Sequence, residues 1–508
     1  MAVNGKTKRT VLNLVASLTS VFLSSSLGIY VSFVMLSHFG SDYYGLNATI
    51  LQILIMLQVV EAGILGAAVF ALYKPITDNK QDQINMIYTY TRRAFIKIGL
   101  IFSMLAIIVS FVLPIFIITN ISYFEVVVLF IMAILPTSIV FLVVLKYHCL
   151  FNSTQQEYIP MFINIFFMTL SLISAIIVVS QNGEYLLVRG VQMVILLSAV
   201  PVIAIIFKKK FPDVKPVKSK ESYKIKGSYD IIIIKIVGIL MQSLPIVLIA
   251  IFFDTYVASL FGVYVLVVNV IRQLVSSVHN APHGAFGLLF AEGDMKRVYK
   301  FFSRHTLIVT TASILLFSVA ATLIVPFISL YTVNVADEIN YINLLLGLML
   351  ISESLIRSLG FSSGMCIFVS GNFKACRNIL GAGLLSMLLA LGIGIPLFGI
   401  YGIAGSIIIG ALVVSTAEII YAHQKYFSKH WVNFLYKLII CLISFIGFVL
   451  AWWFVEISIN NFWQFIKWGF IVTTINASIL ALVCFTLFNK ETRETYNQFF
   501  NLIKRKKS

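Results

Sequence analysis

Long apolar runs, separated by short polar stretches, lay out this chain. The runs are each roughly 20 to 30 residues long, enough for a tilted helix to cross a bilayer. They fall at 11–36, 46–73, 94–118, 123–147, 158–180, 185–207, 229–253, 257–290, 305–331, 341–370, 376–397, 402–423, 434–456 and 465–488, which predicts fourteen spans. Lipid allows only helices or closed barrels to cross it, because every backbone polar group must be satisfied internally. The strict apolar–polar alternation of a barrel strand is absent, so the runs predict helices. The first run is too long for the apolar segment of a secretory signal and lacks a small-x-small cleavage site. It is expected to be retained as a span.

Composition sharpens the class. About 60% of the 508 residues are hydrophobic and 11% are charged, whereas soluble domains carry roughly 25% charged residues. The expected fold class is an all-α polytopic membrane protein. The net charge of +17 comes from 37 Lys and Arg against 20 Asp and Glu. In a soluble chain it would suggest nucleic acid; here it reports topology and no nucleic-acid partner is expected. With both termini cytoplasmic, all the Lys and Arg fall in inner segments except Arg189, Lys235, Arg272, Arg357 and Lys467. The outer loops carry Asp42, Glu125, Glu184, Asp254, Asp337, Glu338 and Glu456 instead. A wrong span count would scramble this asymmetry. The five cysteines show no CxxC and no paired spacing, and read as small apolar fillers with no metal site.

The connections divide the chain. The longest inner loop, KKKFPDVKPVKSKESYKIKGSY, carries eight lysines and two prolines. It reads as a solvated linker that touches anionic headgroups. The expected organisation is an N-terminal lobe of six helices at 1–207, a basic cytoplasmic linker at 208–228, a six-helix lobe at 229–426, and two further helices with a basic tail at 427–508. Each half opens with two long spans joined by an aromatic–Gly step, YYG at 43–45 and LFG at 260–262, and continues into a basic inner loop. Six helices per half preserve orientation, so the repeat is expected to be parallel, the layout of a two-lobed transporter.

No Walker A, GxSxG, HExxH or dinucleotide fingerprint occurs, and no soluble stretch could host one. The chain is therefore not expected to be an enzyme, and transport would draw on a proton or sodium gradient or on the substrate's own. The informative residues are ionisable groups deep in spans, where a charge costs about 2.5–3.5 kcal/mol and usually faces a wet cavity or a partner. Arg272 lies near the middle of the eighth span, with no acid one turn away in either direction. A guanidinium so placed suits phosphate or carboxylate, which its planar fork grips in bidentate fashion. Arg357 lies at similar depth in the tenth span, with Glu353 one turn away on the same face. That spacing fits either a self-neutralising packing pair or a working site. Lys235 sits less than two turns inside the seventh span, within snorkelling reach of the headgroups. His279 and His283 are one turn apart below Arg272. Glu61 is mid-span in the N-terminal half with no base within a helical turn. It is the first candidate for ion coupling, against an interhelical hydrogen bond as the plain alternative. Glu353 is the second, weaker because Arg357 is expected to hold it ionised.

Six short motifs occur in order along nearly the whole chain: G-S-D-Y-Y-G-L at 40–46, E-A-G-I at 61–64, K-K-K-F-P at 208–212, F-A-E-G-D at 290–294, P-F-I-S-L-Y-T at 326–332 and F-G-I-Y-G-I-A-G at 398–405. Together they resemble the polysaccharide transporter branch of the multidrug/oligosaccharidyl-lipid/polysaccharide exporter superfamily, the Wzx-type lipid-linked oligosaccharide flippases. The resemblance implies fourteen helices, alternating access and a substrate of undecaprenyl-pyrophosphate bearing a saccharide repeat unit. It also implies a bacterial cytoplasmic membrane, a place in capsule, exopolysaccharide or O-antigen assembly, and polysaccharide polymerase and chain-length machinery as candidate partners beside membrane lipids. The first span carries Ser24, Ser25 and Ser26 but no charge. A substrate-binding anion site would then rest on Arg272, Arg357 and Lys235, with Glu61 and Glu353 as ion-coupling candidates. A multidrug or metabolite exporter of the same fold is the rival expectation. A polysaccharide polymerase is the more distant one, since polymerases typically need a large outer loop and this chain has none.

Overall fold

The computed structural model describes residues 2–487 apart from 62–63, 218–228, 336, 338, 428–430 and 456. Much of the basic linker, the basic tail, Glu338 and Glu456 lie outside the described residues. The described chain holds sixteen α-helices and no strand. In order they are α1 (Ala2–Leu57), α2 (Ile64–Thr77), α3 (Gln81–Val112), α4 (Tyr123–Ile139), α5 (Leu145–Ser153), α6 (Tyr158–Ser180), α7 (Tyr185–Lys210), α8 (Tyr229–Phe252), α9 (Thr255–Asn280), α10 (His283–Glu292), α11 (Met295–Tyr331), α12 (Leu344–Val369), α13 (Phe373–Phe398), α14 (Ile400–Ala422), α15 (Trp431–Trp453) and α16 (Phe462–Leu487).

Among the described residues, twelve stretches are long and apolar enough to cross a membrane. This is a multi-pass membrane protein. One stretch, Val15–Leu57, runs for 43 residues. Drawn straight at 1.5 Å per residue it would reach about 65 Å, roughly twice the hydrocarbon thickness, so it must cross twice. The break is at Gly40, whose φ of 81° and ψ of −179° belong to no helix. Fourteen spans are expected and twelve stretches qualify, one of them, Val15–Leu57, broken at Gly40; α15 supplies a shorter apolar stretch at Leu442–Trp453.

Three boundaries differ from the apolar runs, each for a local reason. Helix α3 starts at Gln81, thirteen residues ahead of the run, because Ile84, Ile87, Tyr88, Thr91 and Phe95 put a buried stripe at helical spacing into an otherwise polar stretch. Helix α11 starts at Met295, capped by Asp294, whose Oδ1 accepts from the Lys296 and Arg297 amides at 3.1 Å each. The run expected at 257–290 is split, since Pro282 precedes α10 and lacks the amide that would continue α9.

The chain separates into two compact units, Met1–Leu260 with Asn334–Glu338, and Phe261–Val333 with Ile339–Ser508. In the first, an aromatic knot ties α3, α5 and α7. The Phe207 ring lies 4.3 Å from Tyr147, 5.8 Å from Phe151 and, stacked, 5.9 Å from Tyr88. At the other end of the same unit the G-S-D-Y-Y-G-L motif folds tightly. Asp42 accepts from Thr119 Oγ1 at 2.7 Å, from the Asn120 amide at 3.0 Å and from Thr255 Oγ1. The Ser41 amide donates to Asp337 at 2.6 Å. In the second unit, buried Tyr264 donates to the Tyr341 carbonyl at 3.0 Å and accepts from the Asn343 amide at 2.8 Å, fixing the entry to α12. Phe286, Val298, Phe302, Met365 and Cys366 close the core near α10.

Candidate functional site

Helix α12 is the polar spine of the second unit. Apolar residues dominate its flanks, yet Glu353, Ser354, Ser358, Ser362 and Ser363 are all buried along it. A polar residue in such a place needs a partner: Glu353 and Ser354 find one on α9, Ser362 finds one on α11, and Ser358 donates to the Leu355 carbonyl of its own helix.

Arg272 arrives from α9. Its Nη2 donates to Glu353 Oε2 at 2.7 Å and to Ser354 Oγ at 2.7 Å. Ser354 Oγ in turn donates to the same carboxylate oxygen at 2.9 Å. Arg272 has no acid within a turn of its own helix, as expected, and its carboxylate comes from another helix, 81 residues along the chain. Only Nη2 is engaged. The Arg272 side chain stays 34% exposed while Glu353 is 11% exposed, so the guanidinium keeps Nε and Nη1 for something else.

Arg357 does not pair with Glu353, which corrects the expectation drawn from their spacing. The two share a face, but Arg357 turns toward α14. Its Nη1 donates to Glu418 Oε2 at 2.8 Å and its Nη2 to Glu418 Oε1 at 3.1 Å, a two-pronged fork. The guanidinium also lies 5.5 Å from the Phe361 ring. The Glu418 side chain is 8% exposed. Gly360 and Gly364 make room for it: a Cβ built at either would lie 2.7 Å from a Glu418 carboxylate oxygen. Sequence reasoning passed over Glu418. It is the lone acid of α14, and the Gly360/Gly364 pair one turn past Arg357 was the signal that a facing side chain comes close.

The two expected stacked histidines also part. His279, at the end of α9, stacks on Phe361 at 4.7 Å and lies 5.4 Å from His305 of α11. His283, beyond Pro282, faces Phe368 at 5.9 Å. His305 Nε2 lies 3.1 Å from the His279 carbonyl and Nδ1 lies 2.8 Å from Ser362 Oγ. A carbonyl only accepts, so Nε2 carries the proton and Nδ1 accepts from the serine, a neutral tautomer assigned from this pattern. No cluster of His, Cys, Asp or Glu among the described residues could hold a metal ion.

The other two candidates lie in the first unit. Glu61 occupies a 3-10 turn, Gln58–Glu61, between α1 and α2. His148 holds Glu157 at 2.6 Å. Lys235 itself is exposed on α8. The structure therefore gathers Arg272, Arg357 and Glu353 on the α12 spine of the second unit, with Glu61 and Lys235 in the first.

No protein-family model and no curated protein matches the chain. Solved structures do. One titled lipid II flippase MurJ, in an inward closed conformation, shares 13% identity with a TM-score of 0.65, covering 94% of this chain and 100% of that one. An inward-facing multidrug resistance transporter of the MATE family and MOP superfamily shares 10% identity with a TM-score of 0.60, covering 80% and 94%. The eukaryotic MATE transporter AtDTX14 shares 13% identity with a TM-score of 0.54, covering 84% and 96%. The chain has the fold of these transporters.

Proposed function

We propose that this protein is a flippase that moves an undecaprenyl-pyrophosphate-linked oligosaccharide outward across a bacterial cytoplasmic membrane by alternating access, supplying capsule, exopolysaccharide or O-antigen assembly. The observation that carries the reading is the extent of the likeness. The lipid flippase takes in 94% of this chain, whereas the MATE transporters take in 80% and 84%. The margin is roughly the length of two spans, and it agrees with the two helices beyond a twelve-helix plan. In this reading Arg272 offers its uncommitted Nε and Nη1 to the pyrophosphate. Arg357, anchored on Glu418, adds positive field, and Lys235 is the candidate base of the first unit. Glu61 and Glu353 are the residues through which a proton or sodium gradient would act.

One observation favours the rival reading, export of a drug or metabolite. Arg272 and Arg357 each own a buried carboxylate, so the α12 spine is close to neutral and is not a strongly cationic surface. Proteoliposomes decide between the two. Vesicles holding the purified protein and a fluorescent undecaprenyl-pyrophosphate oligosaccharide should expose the sugar on both faces, and Arg272→Ala should abolish this while inserting normally. Arg272→Lys should recover little, because an ammonium cannot form the fork. Sugar that stays on one face in wild-type vesicles overturns the flippase reading, and efflux of a lipophilic cation from the same vesicles would establish the exporter.

A further inference from the structure

The first unit contains a cavity of about 280 Å³ whose lining includes none of Glu61, Lys235, Arg272, Glu353 and Arg357. Helices α1, α4 and α7 line it. Its walls are Leu54, Ile50, Leu129, Met132, Ala133 and their neighbours, and its polar members include Arg189. Arg189 differs from the other two span arginines. Among the described residues it has no carboxylate partner. Nε and Nη2 both donate to the Tyr185 hydroxyl, at 3.0 and 2.7 Å, and Nη1 donates to Gln192 Oε1 at 3.0 Å. The guanidinium also lies 5.0 Å from the Tyr185 ring. Tyr185 is itself wedged against Tyr43 at 4.5 Å and Phe39 at 5.1 Å. The nearby acid Glu125 accepts from the Tyr43 hydroxyl at 2.7 Å and makes no ion pair with Arg189.

Neutral partners fix the direction of a charge without cancelling it. Arg272 and Arg357 pay for their burial with acids; Arg189 does not, and its full positive charge stands at one end of an apolar slot. The slot is lined by apolar side chains except for Asn47, Gln58, Thr137, Tyr185, Arg189 and Gln192, and it has room for a stretch of hydrocarbon with a small headgroup. It also lies at the lower edge of ordinary ligand pockets. A charge at one end and Leu, Ile and Met along the rest describe an amphiphile with an anionic head.

We infer that this cavity binds the phosphate of a lipid, with Arg189 on the phosphate and the first part of the hydrocarbon chain along Leu54, Leu129 and Ala133. The shared chemistry is a phosphate ester carrying a long chain. Two sources offer it, a membrane phospholipid and a polyprenyl phosphate. The site stands whether or not the protein is a flippase, because it concerns binding within one unit and not what is transported.

Native mass spectrometry on the purified full-length protein tests it, with dodecyl phosphate as the probe. Wild type should retain one tightly held probe molecule and should bind neither inorganic phosphate nor dodecanol comparably. Loss of a charged hydrogen bond of this kind weakens binding about 10- to 100-fold, so Arg189→Gln should release the probe to that degree. Arg189→Lys should keep part of the affinity. Ala133→Phe leaves the charge in place but fills the slot, and should also lose the probe. Competition by phosphatidylglycerol or by undecaprenyl phosphate then identifies the natural source, and displacement by either upholds the site. Undiminished binding in Arg189→Gln, undiminished binding in Ala133→Phe, or equal binding of inorganic phosphate would each overturn it. Should Arg189→Gln not fold, Arg189→Lys and Ala133→Phe still decide. Loss of sugar flipping with this binding intact would count against the proposed function alone.

Discussion

Glu418 has 8% of its side chain exposed and depends on one cation. Removing that cation leaves an uncompensated buried charge, which typically costs about 3–5 kcal/mol, whereas removing both partners together is often close to neutral. Arg357→Leu should therefore lower the unfolding midpoint in detergent sharply, and Arg357→Leu combined with Glu418→Leu should recover most of it. A double variant as unstable as the single one would mean that the fork stabilises the spine in its own right. Glu353 predicts a milder pattern, because Ser354 also donates to it and Arg272 is one-third exposed. Glu61 belongs to the same scale but to a different question. Glu61→Gln preserves shape and removes titration, so it should abolish the response of transport to an imposed proton or sodium gradient while leaving the protein folded. A full response in vesicles of Glu61→Gln would remove Glu61 from coupling.

At the level of the helix, α12 and α14 meet through bare backbone. A methyl group at Gly364 would sit 2.7 Å from a Glu418 oxygen, and overpacking of this kind costs about 1–3 kcal/mol. Gly364→Ala should lower stability by that amount. Gly381→Ala on α13, where nothing lies within 4 Å, should be neutral or slightly stabilising. Thermal unfolding of the two variants side by side checks the contrast. The helices themselves were legible in the sequence, because span length and apolar content are one-dimensional properties. The caps went unread: Ser122 accepts from the Glu125 amide, and Asn343 and Asn372 cap α12 and α13. Which arginine meets which acid was not legible. Helical spacing tells only who shares a face, and it favoured Arg357 with Glu353; the choice was made by the facing helices α9 and α14, 81 and 61 residues away. The break in the eighth span was half legible, since Pro282 was visible in the run but its effect depended on where the helix could stop.

The whole molecule is constrained first by its orientation. If both termini and the 208–228 linker are cytoplasmic, a cysteine introduced at Asn182 should react with an impermeant maleimide added to intact cells, and one at Ser219 should react only after lysis. Labelling of Ser219 in intact cells would invert or discard the charge argument. Asn182 adopts a positive φ of 56° in the short turn between α6 and α7, a conformation that asparagine tolerates better than cysteine, so the substitution should strain that turn locally while leaving the spans in place.

The break at Gly40 bears on how the protein is made. One non-helical residue, Gly40, divides two apolar arms of α1. With no soluble chain between them, the first arm cannot settle and wait for the second; the pair has to enter the membrane as a hairpin. A sequence inserted at Gly40 would lengthen the only segment that must be translocated at that moment. It would also displace the backbone from Asp337, which a Cβ at Gly40 would already approach to 3.1 Å. The same insertion after Asn182 meets a finished turn. An epitope scan across the outer loops should accordingly show failed membrane integration at the first loop and tolerance at the third.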